Sequence, residues 1–205
     1  MSEVITQVVF LDIDGTMIPS KAYKLINQTR LVSIFDPCAA AMLRDLLSIS
    51  DARIVFSSTW ASHGLDDCLD LLEKNHIDSD LIHPDWRTPK KLTSTRSQEI
   101  WLWLEEHPEI THYVALDDEQ LDAQMLPGFV QCDIDEGMSY RNYLEAKVLL
   151  NVASAEEVEK IHWLKRKEIW RLERKGDEKA YQTYMFADEI YPIGPNKGIH
   201  WRRGS

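Results

Sequence analysis

The chain has 205 residues, 44% of them hydrophobic and 28% charged, with a formal net charge of −11. That size and balance suit one soluble domain with a sizeable core, or a domain plus an appendage. The negative charge argues against broad, non-specific nucleic-acid binding, which depends on neutralising many phosphates. It leaves room for a local basic pocket that holds one phosphate. Cys38, Cys68 and Cys132 show no paired spacing, which predicts reduced thiols, no zinc site and a cytoplasmic setting. Met1–Gln7 carries no basic region, and the apolar run after it stops at Asp12. This predicts no signal peptide and no membrane span.

Val8–Leu11 is four apolar residues in a row, the pattern of a parallel strand buried on both faces. It runs into Asp12-Ile13-Asp14-Gly15-Thr16, so the acids sit where the strand's carboxyl end opens into a loop. Ligands bind there in open α/β sheets. The i, i+2 spacing predicts that both carboxylates point the same way. Two like charges on one spot are costly unless one is protonated or a cation lies between them. A hard cation with oxygen ligands, such as Mg²⁺, satisfies the pair. Gly15 permits a turn whose backbone approaches a bound group closely.

The polar stretch from Ser20 to Ser33 is too short for an independent core. Asp36 and Pro37 are expected as N-cap and first residue of a helix whose apolar face is Ala39, Met42, Leu43, Leu46 and Leu47. Ala52–Phe56 is the next buried strand, ending in Ser57-Ser58-Thr59-Trp60. Trp60 is expected to pack, with stacking on a substrate base as the alternative, and His63 to sit on the surface. Leu65–Lys74 reads as a helix with Leu65, Cys68, Leu69 and Leu72 inward. Leu81–Pro84 reads as a short edge strand ended by Pro84. A polar, irregular stretch from Asp85 to Ser97 holds Arg87, Lys90, Lys91 and Arg96. Thr95–Glu99 leads into a helix containing Trp101 and Trp103, which do not share a face, so one is expected buried and one partly exposed. His112–Leu116 is a further buried strand, ending in Asp117-Asp118 with Asp122 beyond. Gly128–Ile134 is a fifth strand, and Tyr140–Asn151 a helix with Tyr143, Leu144, Val148 and Leu149 inward. Strands alternating with helices imply right-handed crossovers and an α/β, doubly wound parallel sheet.

These stretches together resemble the haloacid dehalogenase (HAD) superfamily, most of whose members are Mg²⁺-dependent phosphatases that pass through an aspartyl-phosphate. The resemblance implies Asp12 as nucleophile, Asp14 as general acid/base, Ser57 as a donor to the transferring phosphoryl group, and Arg96 in the place of the family's usual Lys. It implies a metal site built from Asp12, Asp14, Asp117 and Asp118, with Thr16, Ser58 and Lys90 toward the substrate. It also places the first strand centrally, between those ending at Ser57 and Asp117. The short interval after Thr16 implies a capless or minimally capped, open site. Ser57-Ser58-Thr59-Trp60 resembles a subgroup associated with nucleic-acid repair proteins. Plainer readings of the first motif are an acidic turn or a glycosyltransferase Asp-x-Asp.

The resemblance ends near residue 151, so domains are expected at 1–151 and 152–205. Ser154–Glu157 forms a capping box for a charged helix. The aromatic side chains after it, Trp163 among them, either pack on the core or face a protein partner. Two functions follow. One is a phosphomonoester hydrolase acting on a nucleotide, a nucleic-acid end or a small phosphate ester. The other is a non-catalytic binding or regulatory protein that uses the C-terminal extension.

Overall fold

The computed structural model describes residues 4–25, 33–90 and 93–160. The aromatic residues of the expected C-terminal extension and Lys91 lie outside these. Five strands, β1 (Gln7–Leu11), β2 (Arg53–Phe56), β3 (Ile82–Arg87), β4 (His112–Asp117) and β5 (Phe129–Gln131), form one sheet in the order β3-β2-β1-β4-β5. Every neighbouring pair is parallel. Val8, Val9, Phe10 and Leu11 of β1 are wholly buried, as its unbroken apolar run demands. The connecting helices are α1 (Ser20–Leu25), α2 (Pro37–Ser50), α3 (Leu65–Lys74), α4 (Arg96–Glu106) and α5 (Tyr140–Leu149).

Helices cover both faces of the sheet. On one, Ile100 and Trp103 of α4 pack with Val8, Phe10, Val55 and Ala115. Phe10 and Trp103 meet edge to face at 5.2 Å between ring centroids, a favoured aromatic geometry. Strand alternation turns Val9 and Leu11 to the other face, where α2 lies against α5 and α5 contacts β4 and β5. Trp103 is wholly buried and Trp101 41% exposed, as their spacing requires. Among the described residues, no helix is long and apolar enough to cross a membrane.

Caps fix where the helices begin. Asp36 accepts from the backbone N–H groups of Cys38 and Ala39, with Pro37 as the first residue of α2. Thr95 and Gln98 close a reciprocal capping box on α4, and Ser139 and Asn142 do the same for α5. The α4 box makes Arg96 the first residue of its helix.

Several expectations need correction. A short helix, α1, occupies part of the polar stretch after Thr16, where no element was expected. Its Ser20 and Lys21 bond Asp135 and Glu136, anchoring it to the turn after β5. Pro84 does not end β3. The strand continues to Arg87, with a register shift against β2 between Ile54 and Phe56, and an edge strand tolerates a residue with no N–H to donate. The inner face of α3 is Cys68, Leu71 and Leu72, while Leu65 is exposed. Leu65 is the first residue of its helix, one turn above the packed part of that face. On α5, Val148 and Leu149 are only half-buried, and Asn142 is buried instead. Asn142 belongs to the capping box and also donates from Nδ2 to Gln131 O at 2.9 Å.

Candidate active site

The sheet register assembles the site. Leu11 pairs with Phe56 on one side and Leu116 on the other, so the next residues, Asp12, Ser57 and Asp117, share one rim. The ladder runs on at that rim: Asp12 N donates to Leu116 O, and Ser57 N to Leu11 O, each at 3.1 Å. Carboxylate oxygens of Asp12, Asp117 and Asp118 lie within 4.8 Å of one another. Asp12 and Asp117 are buried, and Asp118 is half-buried.

Arg96 enters from the start of α4. Its Nη1 donates to Asp12 Oδ1 and Asp117 Oδ2, each at 2.7 Å, and ties the ends of two neighbouring strands together. Asp117 Oδ1 accepts from Glu119 N at 2.9 Å, which holds that carboxylate on both oxygens. Burial pushes Asp12's carboxyl up to about 7, with Arg96 pulling the other way and Asp117 adding to the rise. Burial also raises Asp117 and Asp118. One arginine does not balance three carboxylates drawn from water, and this leaves a charge deficit of the kind a divalent cation fills.

Asp14 behaves differently from the expectation. β1 ends at Leu11, and the chain then folds into a tight turn in which Met17 N and Ile18 N both donate to Ile13 O at 2.9 Å. Strand alternation does not reach past such a turn, so Asp14 faces outward while Asp12 is buried. The Asp14 carboxylate therefore stands outside the cluster of three acids. It accepts from the Tyr23 hydroxyl of α1 and from Trp60 Nε1 at 3.0 Å. Burial, then the carboxylate itself, raises Tyr23's phenol well above its ordinary value, so the phenol stays protonated and donates.

Gly15 sits at φ +82°, and a Cβ there would fall 2.4 Å from Asp118 Cγ. The group that approaches Gly15 is thus a carboxylate of the acid cluster. Among the described residues the Ser57 hydroxyl is buried without a hydrogen-bond partner, and the Thr16 hydroxyl is buried beside the Cys132 thiol. Buried orphan hydroxyls are rare and call for an explanation, such as a missing ligand. Ser58 accepts from Trp60 N at 3.4 Å, capping the short 3-10 helix Thr59–His63, and bonds Asp12 through its hydroxyl.

Lys90 is exposed between β3 and α4, and among the described residues no ion pair joins it to the acids. Asp122 is a turn residue whose Oδ1 accepts from Gln124 N and Met125 N. Tyr23 is the residue the sequence reading missed. Nothing in a lone tyrosine within a polar stretch signals that a helix will carry it to Asp14. Trp60 was expected to pack. It is half-buried with its ring edge-on to His63, its indole N–H also holds Asp14, and it borders a cavity of about 260 Å³ lined in part by His63, Asp67 and Lys74.

A family model described as the HAD domain in Swiss Army Knife RNA repair proteins matches residues 8–143, which spans all of the motifs above. The chain belongs to the HAD superfamily. No curated protein and no solved structure matches it. The HAD match extends from β1 into α5, so every element that positions the rim lies within it. Membership places the chain among HAD-type hydrolases generally. The Mg²⁺ typical of HAD proteins suits these residues: three carboxylates converge, the donors are all oxygen, and among the described residues only Arg96 pairs with them, which leaves negative charge over.

Proposed function

We propose that this HAD protein hydrolyses phosphomonoesters, with Asp12 as nucleophile and the phosphate end of a nucleic acid as substrate. The observation that carries the reading is the meeting of Asp12, Asp117, Asp118 and Arg96 at the carboxyl ends of β1 and β4. Asp12, Asp118 and the backbone carbonyl of Asp14 would hold Mg²⁺, with Asp117 as a further ligand or a support for Arg96. The ion supplies charge neutralisation, letting an anionic phosphate approach a carboxylate.

The chain's own groups divide the remaining work. The Asp12 carboxylate attacks phosphorus, and the bond to the ester oxygen breaks. Asp14, outside the acid cluster, protonates that leaving oxygen and then takes a proton from the water that opens the aspartyl-phosphate. Tyr23 and Trp60 aim Asp14 by donating to its two oxygens. Among the described residues Ser57's hydroxyl has no partner, which suits it to donate to a phosphoryl oxygen. Arg96 uses one nitrogen on both acids, and its guanidinium keeps further donors for the phosphoryl group.

The matched family's description, RNA repair, supports this substrate class, as does the cavity beside Trp60, whose ring offers a base a stacking face. The net charge of −11 favours the second reading, a nucleotide or small phosphate ester. Phosphate release with Mg²⁺ from RNA oligonucleotides phosphorylated at the 3′ or 5′ end, from mononucleotides and from p-nitrophenyl phosphate separates the two. The reading expects turnover on at least one oligonucleotide end and none in Asp12→Asn. Turnover confined to small esters moves the substrate to the second reading. No release from any of them leaves a binding protein on a HAD scaffold.

A further inference from the structure

A second cluster of metal-ligating side chains lies away from the acids. One ligand atom each from His83, His107 and Glu109 falls within 4.8 Å of the other two. They come from three elements: His83 from β3, His107 from the C-cap of α4, and Glu109 from the segment leading to β4. Arg96 opens α4 at the acid rim, so His107, eleven residues on, stands about 16 Å away at the helix's other end.

Both imidazoles are held in place by the backbone, and His107 is already in the tautomer an ion needs. His107 stacks on Trp103, with ring centroids 3.7 Å apart and planes 13° apart. Its Nδ1 lies 2.7 Å from Trp103 O, so it donates there and leaves a lone pair on Nε2. His83 meets Trp103 edge-on at 5.0 Å. The Asp85 backbone meets its Nδ1 twice, with Asp85 N–H donating to it at 3.1 Å and Asp85 O 3.2 Å away, so an ion taking Nε2 would move the ring proton to Nδ1 and the hydrogen bond to Asp85 O. Backbone carbonyls that hold Nδ1–H are the usual outer support of metal-bound histidines. Asp85 brings a second carboxylate, its Oδ2 3.5 Å from His107 Nε2.

We propose that His83, His107 and Glu109 form a site for a transition-metal ion of the Zn²⁺ type. Two imidazoles with carboxylates suit Zn²⁺ and its neighbours, whereas Mg²⁺ prefers an all-oxygen shell. An ion there joins edge strand β3 to the C-terminal end of α4, the helix whose other end carries Arg96. Its role is to fix that helix. The cysteines predicted no zinc site, because histidines this far apart in sequence carry no spacing signal.

The test uses the full chain with Mg²⁺ saturating. Zn²⁺ is titrated by calorimetry into wild type, His107→Gln, Glu109→Gln and, as a control at the acid rim, Asp118→Asn. The expected result is one Zn²⁺ ion per chain in wild type and in Asp118→Asn, bound at least about tenfold more weakly in His107→Gln and Glu109→Gln. Zn²⁺ also raises the thermal midpoint of wild type but not of His107→Gln. Glu109 is exposed, so its variant still decides the question if His107→Gln folds poorly. Unchanged Zn²⁺ affinity in Glu109→Gln, binding lost in Asp118→Asn, or no Zn²⁺ binding by wild type overturns the site.

Discussion

Gly15 leaves open the space in which the Asp118 carboxylate stands: a Cβ on residue 15 would lie 2.4 Å from Asp118 Cγ. A residue beside one strand thus sets the position of an acid beside the next. Gly15→Ala should displace Asp118 and also strain a backbone held at φ +82°. The expected outcome is a stability loss of about 1–3 kcal/mol and about 10–100-fold weaker Mg²⁺ binding, read by denaturant unfolding and calorimetry. Unchanged Mg²⁺ affinity would separate Asp118 from the metal.

Arg96 is the only cation recorded in an ion pair with Asp12 and Asp117 among the described residues. Arg96→Gln leaves two buried carboxylates without their counter-charge, a class of change that costs about 3–5 kcal/mol. Mg²⁺ supplies positive charge at the same place, so it should recover more stability in this variant than in wild type. Thermal unfolding with Mg²⁺ and with a chelator checks this. Equal Mg²⁺ increments in the two proteins would mean that Arg96 and the ion do not share these acids.

The raised carboxyl of Asp12 gives a pH dependence with a definite sign. Folding lifts it from 3.8 to about 7, so in this window the folded apo-protein binds a proton that the unfolded chain has released. Its contribution to stability is present below about pH 4 and lost as pH rises to about 7. The stability difference between wild type and Asp12→Asn, measured without metal, should therefore move against wild type across that window. Mg²⁺ must displace the same proton, so its affinity should rise about tenfold per pH unit up to about pH 7 and then level. A flat profile would show that Asp12 is ionised throughout.

Trp60→Phe and Tyr23→Phe each remove one donor to Asp14. Neither changes a residue of the acid cluster, so Mg²⁺ affinity should hold. A hydrogen bond to a charged group contributes about 1.5–3 kcal/mol, so kcat should fall about 10–100-fold on an alkyl phosphate. The drop should be smaller with p-nitrophenyl phosphate, whose leaving group needs little protonation. Equal losses on both substrates would remove Asp14 from leaving-group protonation.

Much of the fold was legible because β1 announces itself. Val8–Leu11 is apolar on both faces, the pattern of a parallel strand buried on both sides, and Ala52–Phe56 and His112–Leu116 were read in the same way. Their acidic or hydroxylic ends marked the rim, because side chains that follow parallel strands emerge on one edge of the sheet. What misled was local geometry beyond the strand ends. Asp14 was read by alternation, but the turn at Gly15 breaks alternation. β3 was cut at Pro84, because whether a strand needs that N–H depends on whether it lies at the sheet's edge.

By itself the sequence determined the class of fold, the apolar strands and the chemistry at their ends, because burial pattern and charge are local properties of residue order. Tertiary structure alone decided which groups share a place. It put Arg96 between Asp12 and Asp117, Tyr23 and Trp60 on Asp14, and His83 beside His107. Those meetings depend on strand register and helix direction, which no single segment encodes.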